Sequence, residues 1–201
     1  MRIVRASVIA LIAVLASGCA THASGARAKP PSFAGPWAGE FADHYKEAES
    51  DFVREVLKDG KITDQEHREM TDRFRKCLAS AGVTFTDFNP DGSMETTFAP
   101  SLGPDRANEA EVRCSREAGE NLISSLYFWI KSNPDNLDEP TIMASCLVRK
   151  GVVPPVYSPE DFRRDSDTGS YPYVDKQSGD EAYTACASDP LGLIFGTQAD
   201  R

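Results

Sequence analysis

Cys77-Leu-Ala-Ser-Ala-Gly-Val83 recurs later in the chain as Cys146-Leu-Val-Arg-Lys-Gly-Val152. A second match lies downstream of each copy: Glu109-Ala-Glu-Val-Arg-Cys114 follows the first, and Glu181-Ala-Tyr-Thr-Ala-Cys186 follows the second. The chain therefore holds two copies of a unit that opens on Cys-Leu-x-x-x-Gly-Val and closes on Glu-Ala-x-x-x-Cys. This repetition predicts two similar halves, at about 60–118 and 138–188.

The first copy ends an amphipathic helix. Met70, Phe74 and Leu78 recur at helical spacing, and Gly82 stops the pattern. Residues 83–88 and 93–98 are rich in Thr and Phe and flank Asn-Pro-Asp-Gly, which predicts two strands around a turn. A helix from about Asp105 then carries Cys114, and Gly119 interrupts its apolar face. The second copy places Cys146 on a helix that begins at Asp138 and stops at Gly151.

The four cysteines of the repeat are predicted to form disulfides, because the chain carries an export signal and thiols pair in oxidising compartments. Four cysteines allow three pairings, and the one that closes a bridge within each copied unit is Cys77–Cys114 and Cys146–Cys186. A zinc site built from the four thiolates and a redox-active disulfide are the rivals, but the chain has no C-x-x-C. The sequence therefore predicts a mainly α fold with small β-hairpin elements (α+β), whose two disulfide-stapled sub-units pack as one domain.

The N-terminus has the organisation of a bacterial lipoprotein signal. Residues 1–5 are basic, 6–16 form an apolar run too short to cross a bilayer, and small residues precede Cys19. Residues 1–18 are the predicted signal peptide and Cys19 the predicted site of lipidation, by palmitate and related acyl chains. The alternative is an ordinary secretory signal cut near Ala23 or Ala26, which leaves no lipid.

Residues 19–36 contain almost no large apolar side chains, and we expect a flexible tether there. The globular ectodomain is predicted to span 37–201. It begins with an aromatic stripe at helical spacing, which predicts one helix from about 37 to 58, ended by Gly60. The next turn, Asp59-Gly-Lys-Ile-Thr-Asp-Gln-Glu66, resembles the second half of an EF-hand loop. Leu57 occupies a ligand position, so a capping box between Thr63 and Glu66 explains the same residues better than calcium.

The second half contains weaker signals. Residues 152–157 are broken by proline, which predicts at most a short edge strand. Ser158-Pro-Glu-Asp161 predicts a brief helical turn, and 163–171 a polar, mobile loop. Ser178-Gly-Asp-Glu181 predicts a capping box that opens the helix of Cys186, which ends at Asp189-Pro190. The apolar residues 191–195 are expected to fold back onto the core.

Charge restricts the partners. The chain has 22 basic and 31 acidic residues, for a net charge of −9. Without residues 1–18 the balance is 20 basic against 31 acidic side chains, or −11. Such a surface is repelled by phosphate backbones, so nucleic acid is excluded as a partner.

No catalytic, cofactor-binding or metal-binding residues are predicted. His22 lies in the tether, and His44 and His67 are expected on polar helix faces without ligand spacing. Acidic pairs such as Glu47/Glu49 and Asp105/Glu109 have the residue types of a glycosidase, but in so acidic a chain such pairs arise by chance. We expect these acidic residues to lie on a solvated surface.

The combination of these motifs resembles surface lipoproteins of actinobacteria, over residues 59–186. The residues that carry it are the small residues before Cys19, the turn at 59–66, the twinned Cys-Leu-x-x-x-Gly-Val, Asn133-Pro-Asp135 and the closing cysteine. That group has no assigned activity, so the resemblance implies a location on the outer face of the cytoplasmic membrane. We expect a non-enzymatic binding or adaptor module, tethered to membrane lipid through Cys19, that serves an envelope protein, a transporter or cell-wall assembly. The alternative is a carboxylate-based cell-envelope hydrolase.

Overall fold

A computed structural model describes residues 31–196 of the chain, and the signal segment and Cys19 lie outside that range. The described part is mainly α, with one two-stranded antiparallel hairpin and two disulfides, which confirms the predicted fold class. The elements follow in this order: α1 (Ala38–Glu47), α2 (Asp51–Leu57), α3 (Asp64–Ser80), β1 (Val83–Phe88), β2 (Met94–Phe98), α4 (Pro104–Ala118), α5 (Glu120–Ser132), α6 (Glu139–Arg149), α7 (Pro159–Thr168) and α8 (Lys176–Ser188).

The hydrophobic side chains form two separate cores. The first is built by α1 to α5 and the hairpin, and its largest fully buried side chains are Leu57, Met70, Phe74, Leu78, Ile123 and Leu126. The second is built by α6 to α8 and includes Met143, Leu147, Val153, Tyr157 and Phe162. We call residues 31–132 lobe 1 and residues 138–196 lobe 2. The first core reaches beyond the repeat unit, because α1, α2 and α5 also contribute to it.

Each lobe contains one disulfide. Cys77 of α3 is bonded to Cys114 of α4, and Cys146 of α6 is bonded to Cys186 of α8. This is the symmetric pairing that the repeat predicts. Lobe 1 has the β-hairpin between its disulfide-bonded helices, whereas lobe 2 has α7 there. Both copies therefore contain the disulfide, but the elements between the bonded helices differ.

The turn of the β-hairpin packs against α5. Val83 pairs with Phe98 and Phe88 with Met94, and the register shifts between Phe85 and Phe88. At the turn the Gly92 N–H donates to the Asn89 carbonyl at 2.9 Å. Gly92 has a φ of 85° and lies so close to the Phe128 ring that a Cβ would meet it at 2.7 Å. A glycine is therefore needed where the turn packs on α5.

The prediction of one helix over 37–58 is wrong. The chain forms α1 and α2, separated at residues 48–50. Ser50 is extended and its hydroxyl accepts a hydrogen bond from the Val53 N–H at 3.2 Å, which starts a new helix. Ala48 is buried at the break, and its carbonyl accepts from the Arg54 guanidinium at 2.6 Å. Across the break, Phe41 of α1 and Val53 and Leu57 of α2 are all buried in the first core.

The turn at 59–66 is a helix start. The Thr63 hydroxyl accepts from the Glu66 N–H at 3.2 Å, and the Glu66 carboxylate accepts from the Thr63 N–H at 2.8 Å. This is the predicted capping box. Residues 31–196 hold no cluster of three or more His, Cys, Asp or Glu side chains arranged for a metal ion.

The predicted mobile loop at 163–171 is wrong, because α7 continues to Thr168. A capping box between Ser158 and Asp161 starts the helix, and Gly169 ends it in the left-handed conformation. The helix is polar except for a narrow buried stripe of Phe162 and Asp165. The Tyr157 hydroxyl donates to the Asp165 carboxylate at 3.1 Å, so burial of that acid is compensated. Such a stripe is too narrow for hydrophobic periodicity to reveal.

Residues 152–157 form no strand, which agrees with the prediction of at most a short edge strand, and Val152 and Val153 are buried in the second core. Two other segments differ from prediction. The helix of Cys186 begins at Lys176 with Asp175 as its N-cap, so the predicted capping box at 178–181 is wrong. The apolar C-terminal segment folds back only in part, because Leu193 and Phe195 remain about half exposed.

The predicted tether ends earlier than residue 36. Phe33 is partly buried and its ring packs against Phe41 and Tyr45, each at a centroid distance of 6.0 Å. The chain therefore enters lobe 1 alongside α1.

Candidate functional site

A cleft of about 520 Å³ opens between the two lobes. Helices α3 and α5 and the hairpin turn supply its walls in lobe 1, and the C-terminal segment of lobe 2 closes one side. We call this the interlobe cleft; its lining residues are His67, Arg68, Asp87, Phe88, Asn89, Pro90, Tyr127, Phe128, Lys131, Leu193 and Ile194.

His67 lies at the base of the cleft within an aromatic cluster. Its ring stacks on Tyr127 at a centroid distance of 3.9 Å and an interplanar angle of 10°. The Phe128 ring meets it edge-on at 5.1 Å, and Phe88 is tilted against it at 5.5 Å. The His67 Nε2 lies 3.2 Å from the Ser124 hydroxyl, so the imidazole is held by both stacking and a hydrogen bond.

The expectation that His67 lies on the surface is wrong, because only 7% of it is exposed. His67 precedes Met70 and Phe74 by three and seven residues, so it shares their buried stripe on α3. That spacing was visible in the sequence. The polar neighbours of His67 conceal the signal, since Arg68 and Glu69 suggest an exposed face.

Burial lowers the pKa of His67 to about 4, and the nearby Lys131 ammonium adds to the effect. Asp87 and Asp64 oppose this lowering, and Arg68 adds a smaller lowering effect. The imidazole is therefore neutral at physiological pH. A neutral ring suits stacking between aromatic side chains and places no charge at the base of the cleft.

A charged triad borders the cleft above His67. The Tyr127 hydroxyl donates to the Asp64 carboxylate at 2.7 Å, and the Lys131 ammonium lies 3.3 Å from the same oxygen. Lys131 also lies over the Tyr127 ring, 4.1 Å from its centroid. The Tyr127 hydrogen bond, followed by that of Lys131, lowers the pKa of Asp64. Tyr127 is thus fixed between His67 and Lys131.

Two further charges at the cleft have no ionic partner within residues 31–196. Arg68 projects from α3 and is exposed, and no carboxylate in the described chain forms an ion pair with it. Asp87 is exposed near the end of β1, and its carboxylate accepts only the neighbouring Phe88 N–H, at 2.9 Å. The rim of the cleft therefore presents one cation and one anion that have no ionic partner in the described part of the chain.

The C-terminal segment is held by a buried carboxylate. Asp189 accepts hydrogen bonds from three successive backbone N–H groups, those of Leu193, Ile194 and Phe195, at 2.8 to 3.0 Å. This arrangement compensates the burial of Asp189 and fixes the turn that brings Leu193 and Ile194 to the cleft. The hairpin turn also lies near lobe 2: hydrogen bonding by Ser93, with a smaller contribution from Ser188, lowers the pKa of Asp91.

His67 and Ser124 are residue types that can act as a catalytic base and a nucleophile, but a substrate cannot reach the Ser124 hydroxyl. Ser124 is 2% exposed and lies on the inner face of α5. A substrate carbonyl could not reach its hydroxyl without opening the core. The pair is a structural hydrogen bond.

The acidic pairs suggested by the sequence lie elsewhere. Glu47, Glu49, Asp105 and Glu109 are exposed, and none of them lines the interlobe cleft. His44 is half-buried, and its Nδ1 lies 3.0 Å from the Leu122 carbonyl. Cys19 and His22 lie outside the described residues.

His67 should make stability depend on pH. Its pKa is about 6.5 in the unfolded chain and about 4 in the fold, so the unfolded state binds more protons as pH falls between these values. The stabilisation is complete above about pH 6.5, and unfolding should cost about 2 kcal/mol less at about pH 5. Urea titrations at about pH 7.5 and pH 5 measure it. His67→Gln should remove this slope and His44→Gln should keep it; an unchanged slope in His67→Gln would contradict the assignment.

No helix within residues 31–196 is long and apolar enough to cross a membrane. The two disulfides are typical of an exported protein.

No family model, curated protein sequence or solved structure matches the chain.

Proposed function

We propose that this protein is a lipid-anchored, extracytoplasmic binding module of the bacterial cell envelope, which holds a segment of a partner protein in the interlobe cleft. The observation that carries the proposal is the composition of the cleft. An aromatic base lies beneath a rim with one unpaired cation, Arg68, and one unpaired carboxylate, Asp87. A peptide segment with an apolar side chain between an acidic and a basic residue complements all three features.

The cleft is organised for binding before any ligand arrives. Tyr127 is fixed by stacking on His67 and by its hydrogen bond to Asp64, and the hairpin turn is packed on Phe128. Fixed aromatic side chains lose little conformational entropy on binding, which favours affinity. Leu193 is 55% exposed at the edge of the cleft and offers apolar surface from lobe 2.

The chemistry of the cleft favours binding over hydrolysis. A carboxylate-based hydrolase needs an acid whose pKa is raised, so that it carries a proton near neutral pH. Asp64 has a lowered pKa and is already bonded to Tyr127 and Lys131. Ser124 is inaccessible to a substrate. These observations support the non-enzymatic hypothesis over the cell-envelope hydrolase.

The proposed anchor is the thiol of Cys19, acylated after removal of residues 1–18. The basic residues, the short apolar run and the small residues before Cys19 support it, together with the resemblance to actinobacterial surface lipoproteins. Two or more acyl chains hold a protein stably on a bilayer. A partner would then be an envelope protein, such as a transporter component or a protein of cell-wall assembly.

Capture from native envelopes tests the cleft. The tagged full chain should recover a specific envelope protein after mild cross-linking, and Arg68→Ala should weaken that recovery. Loss of one charge-assisted hydrogen bond of about 1.5 kcal/mol reduces affinity about tenfold. Asp87→Asn should weaken it in the same direction.

Arg116→Ala is the matched control, since Arg116 is also an exposed helical arginine but lies away from the cleft. It should leave capture unchanged. If all the variants recover every protein equally, the interlobe cleft is not the binding site. Release of cell-wall fragments by the purified full chain, lost in Asp64→Asn, would support the hydrolase instead.

A further inference from the structure

We propose that Trp37, Trp129 and Leu137 form a surface that docks on the lipid bilayer, at the boundary between headgroups and acyl chains. The proposal rests on the lipid anchor at Cys19 and adds a second, protein-borne contact with the membrane. We call these three residues the tryptophan face.

The tryptophan face is apolar, and part of it is exposed. Trp129 projects from α5 with 49% of its surface exposed, and Leu137, in the segment between the lobes, is 43% exposed. The Trp37 and Trp129 rings stack at a centroid distance of 6.3 Å and an interplanar angle of 22°. Trp37 is partly buried against the first core, so Trp129 and Leu137 supply the exposed surface of the face. An exposed tryptophan of this size that stacks on a second tryptophan indicates a contact surface.

The face is held rigidly from beneath. The Trp37 indole N–H donates to the Asn133 carbonyl at 3.1 Å. The Asn133 amide side chain both accepts from the Leu137 N–H, at 3.0 Å, and donates to the Leu137 carbonyl, at 2.8 Å. On the other side the His44 ring lies 6.5 Å from Trp129. One buried asparagine therefore fixes Trp37 and Leu137 together, and the polar N–H of Trp37 needs no water.

The position of the anchor argues for a lipid surface as the occupant. Residues 20–30 separate Cys19 from Pro31, a length that spans at most about 40 Å when fully extended. The chain enters lobe 1 beside α1, where Phe33 packs on Phe41 and Tyr45. The same helix follows Trp37 directly, and its His44 contacts Trp129. The tryptophan face thus lies next to the point at which an anchored chain enters the fold.

Because residues 20–30 form only a short connection to the anchor, even a weak contact between the tryptophan face and the bilayer is effective. The connection holds the face near the bilayer at an effective concentration on the order of millimolar. Tryptophan is the side chain most typical of membrane interfaces, because its ring is apolar and its N–H is polar. The nearby charges include Glu40, Asp43 and Lys46, so the surroundings do not favour anionic headgroups. Insertion of the aromatic rings, and not charge, supplies the affinity.

The composition of the chain gives a direct test. The protein contains two tryptophans in all, and both belong to the face, so its intrinsic fluorescence reports on this surface alone. The full chain, purified with its lipid from bacterial membranes, is reconstituted in phosphatidylcholine vesicles with brominated acyl chains. We expect quenching and a shift of emission to shorter wavelength, strongest for bromines near the headgroups.

Variants separate this surface from the anchor. Trp129→Ala should reduce the quenching of the remaining Trp37, while Val112→Ala, an equally exposed apolar residue on α4, should leave quenching unchanged. If the protein floats with the vesicles but its emission is not quenched, the docking surface is wrong and the anchor stands. If the chain does not float at all, the anchor fails and the docking surface fails with it.

Discussion

Replacing Cys146 and Cys186 together by alanine should unfold lobe 2 while lobe 1 keeps its structure. The bridge closes a loop with a sequence separation of 40, which on the chain-entropy model is worth about 4 kcal/mol. Ten buried residues form the second core in the described chain, against seventeen in the first. So small a core cannot offset the loss, because small domains bury too little apolar surface to be stable without a cross-link.

The matched variant removes the other bridge, through Cys77→Ala and Cys114→Ala. Its loop is of similar length, with a sequence separation of 37, so the entropic cost is similar. Lobe 1 has the larger core and should remain folded with a lower unfolding midpoint. Amide hydrogen exchange distinguishes the two cases: the first variant should lose protection in α6 to α8 only. Equal loss of protection in both lobes would show that the lobes unfold as one cooperative unit.

Unfolding of lobe 2 should also abolish capture through the interlobe cleft. The C-terminal segment reaches the cleft through the Asp189 turn, which directly follows the bridged helix α8. Without that helix Leu193 and Ile194 have no fixed position. A disulfide on one side of the molecule is thereby required for a binding site whose aromatic base belongs entirely to the other lobe.

The cysteine pairing was predictable because the repeat fixes two things at once. Each Cys-Leu-x-x-x-Gly-Val marks a helix that stops at a glycine, and each Glu-Ala-x-x-x-Cys marks a later helix. Only one of the three pairings closes each bridge within its own copy. The capping boxes were predictable for a similar reason, because Thr63 and Glu66 interact over three residues and need no distant partner.

The cleft was not predictable, because distant residues create it. His67 and Ser124 are 57 residues apart and meet only when α3 packs against α5. The break between α1 and α2 has the same origin. Its local sequence allows a continuous helix, and at the break Ala48 is buried in the first core, which the local sequence does not show. The sequence marks the corner between α4 and α5 at Gly119, but it does not show that Val53 of α2 packs against that corner.

Gly119→Ala should destabilise lobe 1 by about 4 kcal/mol. Gly119 ends α4 and starts α5 with a φ of 76°, a left-handed conformation that costs an alanine about 1 to 2 kcal/mol. An added Cβ would also lie 2.2 Å from the Cγ2 of Val53, a buried residue of α2. Overpacking of this kind costs about 1 to 3 kcal/mol more, because α2 has to move away from α5. Urea denaturation monitored by the fluorescence of the two tryptophans measures the loss.

Two comparisons separate the backbone cost from the collision. Gly169→Ala changes a glycine with a similar left-handed φ of 64° at a helix end, but its Cβ would meet nothing within 4 Å. It should cost only the backbone contribution, about 1 to 2 kcal/mol. Val53→Ala in the Gly119→Ala background removes the colliding methyl group, so the double variant should be less destabilised than the sum of the two single changes. Strict additivity would mean that Val53 moves aside freely, and that the helix corner depends on the conformation of Gly119 alone.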